Sequence, residues 1–235
     1  MDRFLYYPLS LMPYLVITLI VSFTMHELAH AYVAYKFGDD TAKKQGRLTL
    51  NPIKHLDPFG TILILVAGFG WARPIPVNRR FFKKPRLAGV LVSIAGPVSN
   101  LILAFIGFFL LVLMHAYGME MLAAFSTGLD QFFSIWIQLN LVLFLFNLLP
   151  LPPLDGYRII EDLVPPGVRA KMTQAESYGF IVFLVLFVTP LGSYVLWPML
   201  NAGRDSIFKA VFSDISTAFV GGRTSWKKKE KINRV

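Results

Sequence analysis

Long apolar runs constrain the fold of this chain more than any other feature of its sequence. Four stretches of about 20 residues or more are rich in Leu, Ile, Val and Phe: 9–37, 87–114, 131–149 and 178–200. A helix needs about 20 such residues to cross the ~30 Å hydrocarbon core of a membrane. With 55% hydrophobic residues, the chain has too few polar residues for the surface of a water-soluble domain of this length. The sequence therefore predicts an all-α polytopic membrane protein with about four transmembrane helices. The fourth is expected to be bent or interrupted at 189–192.

The predicted organisation is one membrane-embedded domain, residues 1–222, followed by a basic, flexible tail, residues 223–235. The sequence shows no internal repeat and no low-complexity linker that would separate a second domain. It contains no cysteine, so disulfides and thiolate metal sites are excluded. Any metal ion must therefore bind through imidazole, carboxylate or carbonyl groups.

The basic residues are unevenly distributed, and their positions predict how the chain is oriented in the membrane. The net charge of +9 is typical of a polytopic protein, whose cytoplasmic loops collect Lys and Arg, so we expect no nucleic-acid partner. Residues 71–86 carry six basic residues and no acidic one, whereas residues 115–130 carry no Lys or Arg. We therefore expect 37–86 to be cytoplasmic and the N-terminus to lie outside. For the tail the two signals conflict, because the number of spans places it outside and its charge places it inside.

A short apolar segment, residues 58–70, lies between basic clusters. Its 13 residues are too few for an ordinary helical crossing, and a true crossing would put one basic cluster outside. This pattern predicts a re-entrant segment or hairpin that enters the membrane and returns. The alternating stretch 46–51, "GRLTLN", predicts a short β-strand, and 73–78, "RPIPVN", predicts an edge strand or an extended loop.

Three ionisable residues interrupt the first span in the motif "HELAH". His26 and His30 are four residues apart and therefore share one helix face, where two imidazoles can hold one zinc ion. Glu27 lies ~100° round the helix, within reach of a water beside the metal but not as a ligand. The pattern also occurs by chance. Inside an apolar span, however, such groups cost several kcal/mol unless they are paired or ligated, which favours a metal site.

Zinc in a catalytic site takes three protein ligands and keeps one open position. The soluble extension of the motif fails here, because Val33 and Lys36 occupy the positions of its glycine and third histidine. His55 lies in a loop with Asp57, and His115 lies at the outer end of the second span. Asp155 remains, just past the third span in "FNLLPLPPLDG", where three prolines prevent a continuous helix. Taken alone, Asp155 could equally cap the helix that follows it.

Together, "HELAH" and the segment Asn147–Gly156 resemble the site-2 protease family of intramembrane zinc metalloproteases. The segments "GRLTLNP", "HLDPFG", "ARPIPVN" and "AGPVSN" are similar to its compact bacterial members, which lack PDZ and CBS domains. The resemblance covers 18–161. It implies one zinc ion on His26, His30 and Asp155, with Glu27 as the general base. It also implies that Asn147 lies near the scissile carbonyl.

Other polar residues within the spans have two interpretations each. The amide of Asn147 could stabilise an oxyanion or form an interhelical hydrogen bond, and we assign Asn140 to the second role. Ser93, Gly96 and Asn100 form a small, polar stripe on the second span. This stripe suits close packing against the helices of the site, with contact to a substrate as the alternative.

The resulting hypothesis is zinc-dependent hydrolysis of peptide bonds within or near transmembrane segments. The expected substrates are membrane proteins, chiefly single-pass ones, and the expected location is a bacterial cell membrane. The multi-pass protein would have its active site towards the cytoplasm. The alternative is a zinc-binding transporter or scaffold without proteolytic activity. A transporter would need further His or acidic residues along a path, and the interiors of the second and fourth spans contain none.

Overall fold

The computed structural model describes residues 8–67, 70–116, 123–194 and 196–207. The predicted tail, 223–235, lies outside the described residues, so the predicted domain boundary stays a prediction. In the described part, three 3₁₀ turns occur at Leu9–Leu11, Pro52–Lys54 and Arg79–Phe81. The α-helices there are α1 (Met12–Lys36), α2 (Thr41–Lys44), α3 (Pro58–Ala67), α4 (Pro85–Ala116), α5 (Ala123–Asn147), α6 (Asp155–Leu163), α7 (Pro166–Val188), α8 (Leu191–Tyr194) and α9 (Leu196–Ile207).

Three long helices form the centre of the fold, and α4 packs against both α1 and α5. In the described residues, three stretches have the length and hydropathy to cross a membrane: Leu9–Lys36, Pro85–Ala116 and Thr127–Asn147. The three predicted spans that correspond to them are confirmed as helices. Buried apolar side chains join α4 to α5, and others join α1 to α3. This arrangement places the histidines of α1 against the middle of α4.

The fourth predicted span, 178–200, is not confirmed as a membrane crossing. Helix α7 ends at Val188, and the chain continues through α8 into α9. Pro190 lacks a backbone N–H and cannot continue a helix, so the interruption predicted at 189–192 is confirmed. The first half of α7 is polar and lowers its hydropathy. Among the described residues of this region, no helix has both the length and the hydropathy to cross a membrane.

The two ends of the short apolar segment 58–70 meet. Leu56 and Ala72 form an antiparallel bridge, and the Arg73 N–H donates to the His55 carbonyl at 2.8 Å. A Cβ on Gly60 would lie 2.1 Å from the Trp71 carbonyl oxygen, so the glycine allows the two limbs to approach closely. The segment therefore begins and ends on the same side of the fold, as the charge distribution predicted.

The two predicted strands, 46–51 and 73–78, do not form in the described structure, where the single Leu56–Ala72 bridge is the only β-pairing. Two prolines in 73–78 have no N–H to donate to a ladder. The Arg47 side chain binds the carbonyls of Arg73 and Pro74, each at 2.6 Å, in place of a neighbouring strand. The alternative of an extended loop is the correct one for 73–78.

Candidate metal centre

Three potential metal ligands converge between α1 and α6. The Nε2 atoms of His26 and His30 lie 3.1 Å apart. The Oδ2 atom of Asp155 lies 3.2 Å from Nε2 of His26 and 3.3 Å from Nε2 of His30. Both imidazoles are buried, with 6% and 8% of their surface exposed. The predicted group of two imidazoles and a carboxylate is therefore assembled in space.

The local sequence explains how Asp155 reaches the histidines. Helix α5 ends at Asn147, and α6 begins at Asp155 after a proline-rich turn. A Cβ on Gly156 would lie 2.2 Å from the Leu148 carbonyl oxygen, so glycine lets α6 start directly against the end of α5. The N-cap residue of α6 is Leu154, and no side chain caps this helix. The carboxylate of Asp155 thus faces the imidazoles, and the capping interpretation is wrong.

The donor set fits a zinc ion. Tetrahedral zinc with bonds of 2.0–2.1 Å requires donor atoms about 3.3 Å apart, and the three observed separations are close to that value. Oδ2 of Asp155 is buried and has no hydrogen-bond partner among the described residues. Burial acts to raise the pKa of Asp155, but His30 and His26 lower it below its ordinary value. The carboxyl group is therefore ionised, which is the form that binds a cation.

The opposite nitrogen of each imidazole is bound to α4. The carbonyl oxygen of Val92 lies 2.7 Å from Nδ1 of His30, and because a carbonyl only accepts, Nδ1 carries the proton. Nδ1 of His26 donates to Oδ1 of Asn100 at 2.7 Å. Asn100 in turn donates to Asn140 on α5 at 3.1 Å, which confirms the interhelical bond predicted for Asn140. These bonds hold both rings with Nε2 facing the metal group, so Nε2 is the nitrogen of each ring that would bind a metal.

Helix α4 approaches the imidazoles closely because of Gly96. A Cβ at this position would lie 2.3 Å from Nε2 of His30 and 2.6 Å from Nε2 of His26. The close packing predicted for the Ser93, Gly96 and Asn100 stripe is confirmed. The bond from His26 to Asn100 was missed, although an amide in an apolar helix was a signal that it needed a partner.

Glu27 lies beside the metal group and is held by the loop after α3. Its Oε2 accepts the Ile75 N–H at 3.0 Å, and 7% of the residue is exposed. Arg47 is buried and donates to the carbonyls of Arg73 and Pro74, immediately before Ile75. Arg47 therefore secures the backbone that orients Glu27, a role that sequence reasoning missed. Oε1 of Glu27 has no hydrogen bond to a described residue.

A cavity of about 1000 Å³ opens beside these residues, and its wall includes the metal group, Glu27 and Asn147. Apolar residues of α1, of α5 and of the segment 70–77 line most of the remainder. Nδ2 of Asn147 donates to the Leu143 carbonyl at 2.9 Å, which uses one of its two N–H groups. The second is available to a molecule in the cavity. Arg158 and Arg204 also line it, and neither was predicted.

The remaining histidines lie away from the metal group. His55 is fully buried, and its Nε2 donates to the Thr49 carbonyl at 2.7 Å. Asp57 accepts the Gly60 N–H at 2.8 Å at the start of α3. Both are loop residues, as predicted. His115 lies 3.4 Å from Asp130, at the opposite end of α4 from the α6 contact.

Comparisons with known proteins agree with this geometry. The sequence model of Peptidase family M50 matches residues 14–190. The chain is 98% identical over 215 residues to "Putative zinc metalloprotease YwhC" of Bacillus subtilis (strain 168), a match that covers 92% of this chain and 98% of that protein. It is 32% identical over 176 residues to "Putative zinc metalloprotease Rip2" of Mycolicibacterium smegmatis, covering 73% of this chain and 65% of Rip2. No solved structure matches. The chain therefore belongs to peptidase family M50, the site-2 protease family, and is a zinc metalloendopeptidase.

Proposed function

We propose that this zinc metalloprotease cleaves peptide bonds within or next to the transmembrane segments of other membrane proteins, as a step of regulated intramembrane proteolysis. The observation that carries the proposal is the position of the metal group. Two of its ligands, His26 and His30, lie on a helix long and apolar enough to cross a membrane. The cavity beside them is walled by apolar residues of that helix, of α5 and of the segment 70–77. Such a cavity suits an apolar polypeptide segment.

The proposed location is a bacterial cell membrane, with the active site towards the cytoplasm of a multi-pass protein. His26 lies 11 residues before Phe37, or ~16 Å along the helix axis. The same end of α1 leads into the basic residues of α2, and the basic segment 79–86, which leads into α4, packs beside it. The positive-inside rule places this end at the cytoplasm, from which water can reach the site.

Each group of the site has its own role in the proposed hydrolysis. Zinc, when bound by His26, His30 and Asp155, supplies a Lewis acid that polarises the scissile carbonyl and lowers the pKa of water. Glu27 takes a proton from the attacking water through Oε1 and passes it to the leaving amine. The Ile75 N–H keeps the Glu27 carboxylate oriented through Oε2. The second N–H of Asn147 donates to the oxygen on which negative charge develops.

A substrate helix must unwind before cleavage, because its carbonyls are hydrogen-bonded within the helix. The loop 73–78 could hold the unwound stretch by strand addition. The Ile75 and Asn78 N–H groups bind Glu27 and Asp39, and two further positions are prolines. The Val77 N–H is thus the donor still available in 74–78. We expect Val77→Pro to lower cleavage while zinc is retained, with Val77→Ala as the control. Full cleavage by Val77→Pro would contradict strand addition here.

Glu27→Gln tests the proposed function, because glutamine keeps the size of the side chain and removes the base. We expect one zinc per chain in the purified variant, loss of cleavage, and accumulation of uncleaved single-pass proteins in cells that express it. Glu176→Gln is the matched control, since Glu176 lies on α7 outside the metal group. Unchanged cleavage by Glu27→Gln would show that Glu27 is not the general base and would contradict the mechanism. Zinc flux into proteoliposomes without cleavage by the wild type would indicate the transporter instead.

A further inference from the structure

Helix α4 has two glycines, Gly89 and Gly96, on the side that faces α6. Each lacks a side chain and so leaves a notch for the group opposite it. Gly89 and Gly96 are seven residues apart on α4, and Asp155 and Asp162 are seven apart on α6, so each pair spans about two turns of one face. A Cβ on Gly89 would lie 2.1 Å from Oδ2 of Asp162. The Gly96 notch receives the imidazoles that meet Asp155. The two helices therefore run antiparallel, with one carboxylate of α6 near each notch.

The second carboxylate, that of Asp162, forms ion pairs with two arginines. It is 0% exposed, and Nη2 of Arg79 lies 3.0 Å from its Oδ2. Nη2 of Arg169 lies 2.9 Å from its Oδ1. These contacts are ion pairs and not aligned hydrogen bonds. Neighbouring Glu161 pairs with Arg79 at 3.2 Å, so the 3₁₀ turn, α6 and α7 all meet at this point.

Separating a buried carboxylate from its ion-pair partners costs free energy. Burial raises the pKa of Asp162 above its ordinary value, while Arg79 and Arg169 oppose the rise. The anionic form thus depends on both guanidinium groups remaining in place. Breaking a buried ion pair leaves an uncompensated charge, which is strongly unfavourable. Asp162 is consequently restricted to one position against Gly89.

Helix α6 needs such a restraint. It has only nine residues, and the proline-rich turn before it prevents α5 from imposing its direction. A shift by one residue would rotate its side chains by ~100° and move them ~1.5 Å along the axis. Metal ligands tolerate displacements of only about 0.2 Å.

We propose that Asp162 is a positioning residue for the metal centre: held in the Gly89 notch by Arg79 and Arg169, it sets the register of α6 on α4 and so brings Asp155 to the histidines. The proposal rests on the zinc site and not on the choice of substrate. Metal binding tests it without any cleavage assay, so its failure is distinguishable from failure of the proposed function.

The test compares Asp162→Asn with the wild type, both purified in detergent. Zinc dissociation constants come from competition with a chelator, and Co²⁺ in place of zinc reports the ligand geometry through its d–d absorption. We expect zinc binding to weaken about 10–100-fold and the cobalt spectrum to change. Gly89→Ala should do the same, because its Cβ displaces Asp162. Gly167→Ala is the matched control, since a Cβ there meets no atom within 4 Å.

A merely structural role gives a different result. Asp162→Asn would then lower the melting temperature of the metal-free protein and leave both the zinc dissociation constant and the cobalt spectrum unchanged. That outcome overturns the proposal. If Asp162→Asn does not fold, Arg169→Gln decides in its place, because Arg79 still pairs with Asp162 in that variant. Wild-type zinc affinity in Arg169→Gln and Gly89→Ala together would also overturn it.

Discussion

Replacing Gly96 by alanine adds one methyl group at the point where α4 touches the metal ligands. Its Cβ would lie 2.3 Å from Nε2 of His30 and 2.6 Å from Nε2 of His26. Ordinary van der Waals contact begins near 3.4 Å. The two ligand atoms would therefore have to move by about 1.1 Å and 0.8 Å, or the helices would have to separate by a similar distance. The alanine should thus act directly on the metal site.

The size of the effect follows from the tolerance of a metal site. Zinc accepts ligand displacements of about 0.2 Å, several times less than the required movement. We expect zinc affinity to fall at least about 100-fold, equivalent to about 2.7 kcal/mol. Alanine has the higher helix propensity, by up to about 1 kcal/mol, but this favours α4 with or without metal and cannot restore the ligand geometry.

Chelator competition on purified protein, together with the zinc content per chain, measures this loss. Gly107→Ala is the control, because it makes the same change on the same helix, and its Cβ would lie 2.3 Å from Cδ1 of Trp136. That variant should lower the free energy of unfolding by about 1–3 kcal/mol through overpacking and keep its zinc. Wild-type zinc affinity in Gly96→Ala would refute the close approach of α4 to the ligands.

Three further substitutions separate the supporting residues by their effects. Asn100→Ala should weaken zinc binding about 10–100-fold in chelator competition, because His26 loses its acceptor; wild-type affinity in this variant would contradict this. Asn147→Ala should lower the cleavage rate about 10²–10³-fold at unchanged zinc content, and an unchanged rate would rule out oxyanion stabilisation. Arg47→Met should lower the rate up to about 100-fold with zinc retained, because the loop that orients Glu27 loses two hydrogen bonds; loss of zinc instead would place Arg47 in the metal site.

Secondary structure was predictable where a single local pattern determined it. Helices α1, α4 and α5 were expected from their apolar length, and the meeting of the two ends of 58–70 from its shortness and flanking charge. The strands at 46–51 and 73–78 were not predictable in the same way. Their alternation is real, but the arginine side chain of Arg47 binds the carbonyls that a neighbouring strand would have used. The fourth span is not found as one crossing helix among the described residues, because the break at Pro190 divides the apolar stretch 178–200.

What the sequence determined by itself is the local part of the site: a membrane-length helix with His26 and His30 on one face and Glu27 beside them. That follows from the 3.6-residue period of the helix and from the cost of ionisable groups in an apolar span. Only the tertiary structure showed that Asp155 does not cap α6 and lies with the two imidazoles in a group that could hold a metal ion. The register of α4 and α6 places this carboxylate against the imidazoles. No local sequence pattern predicts such contacts between residues that are distant in the chain. The same holds for the partners of Asn100 and Asp162, which exist only once the helices pack.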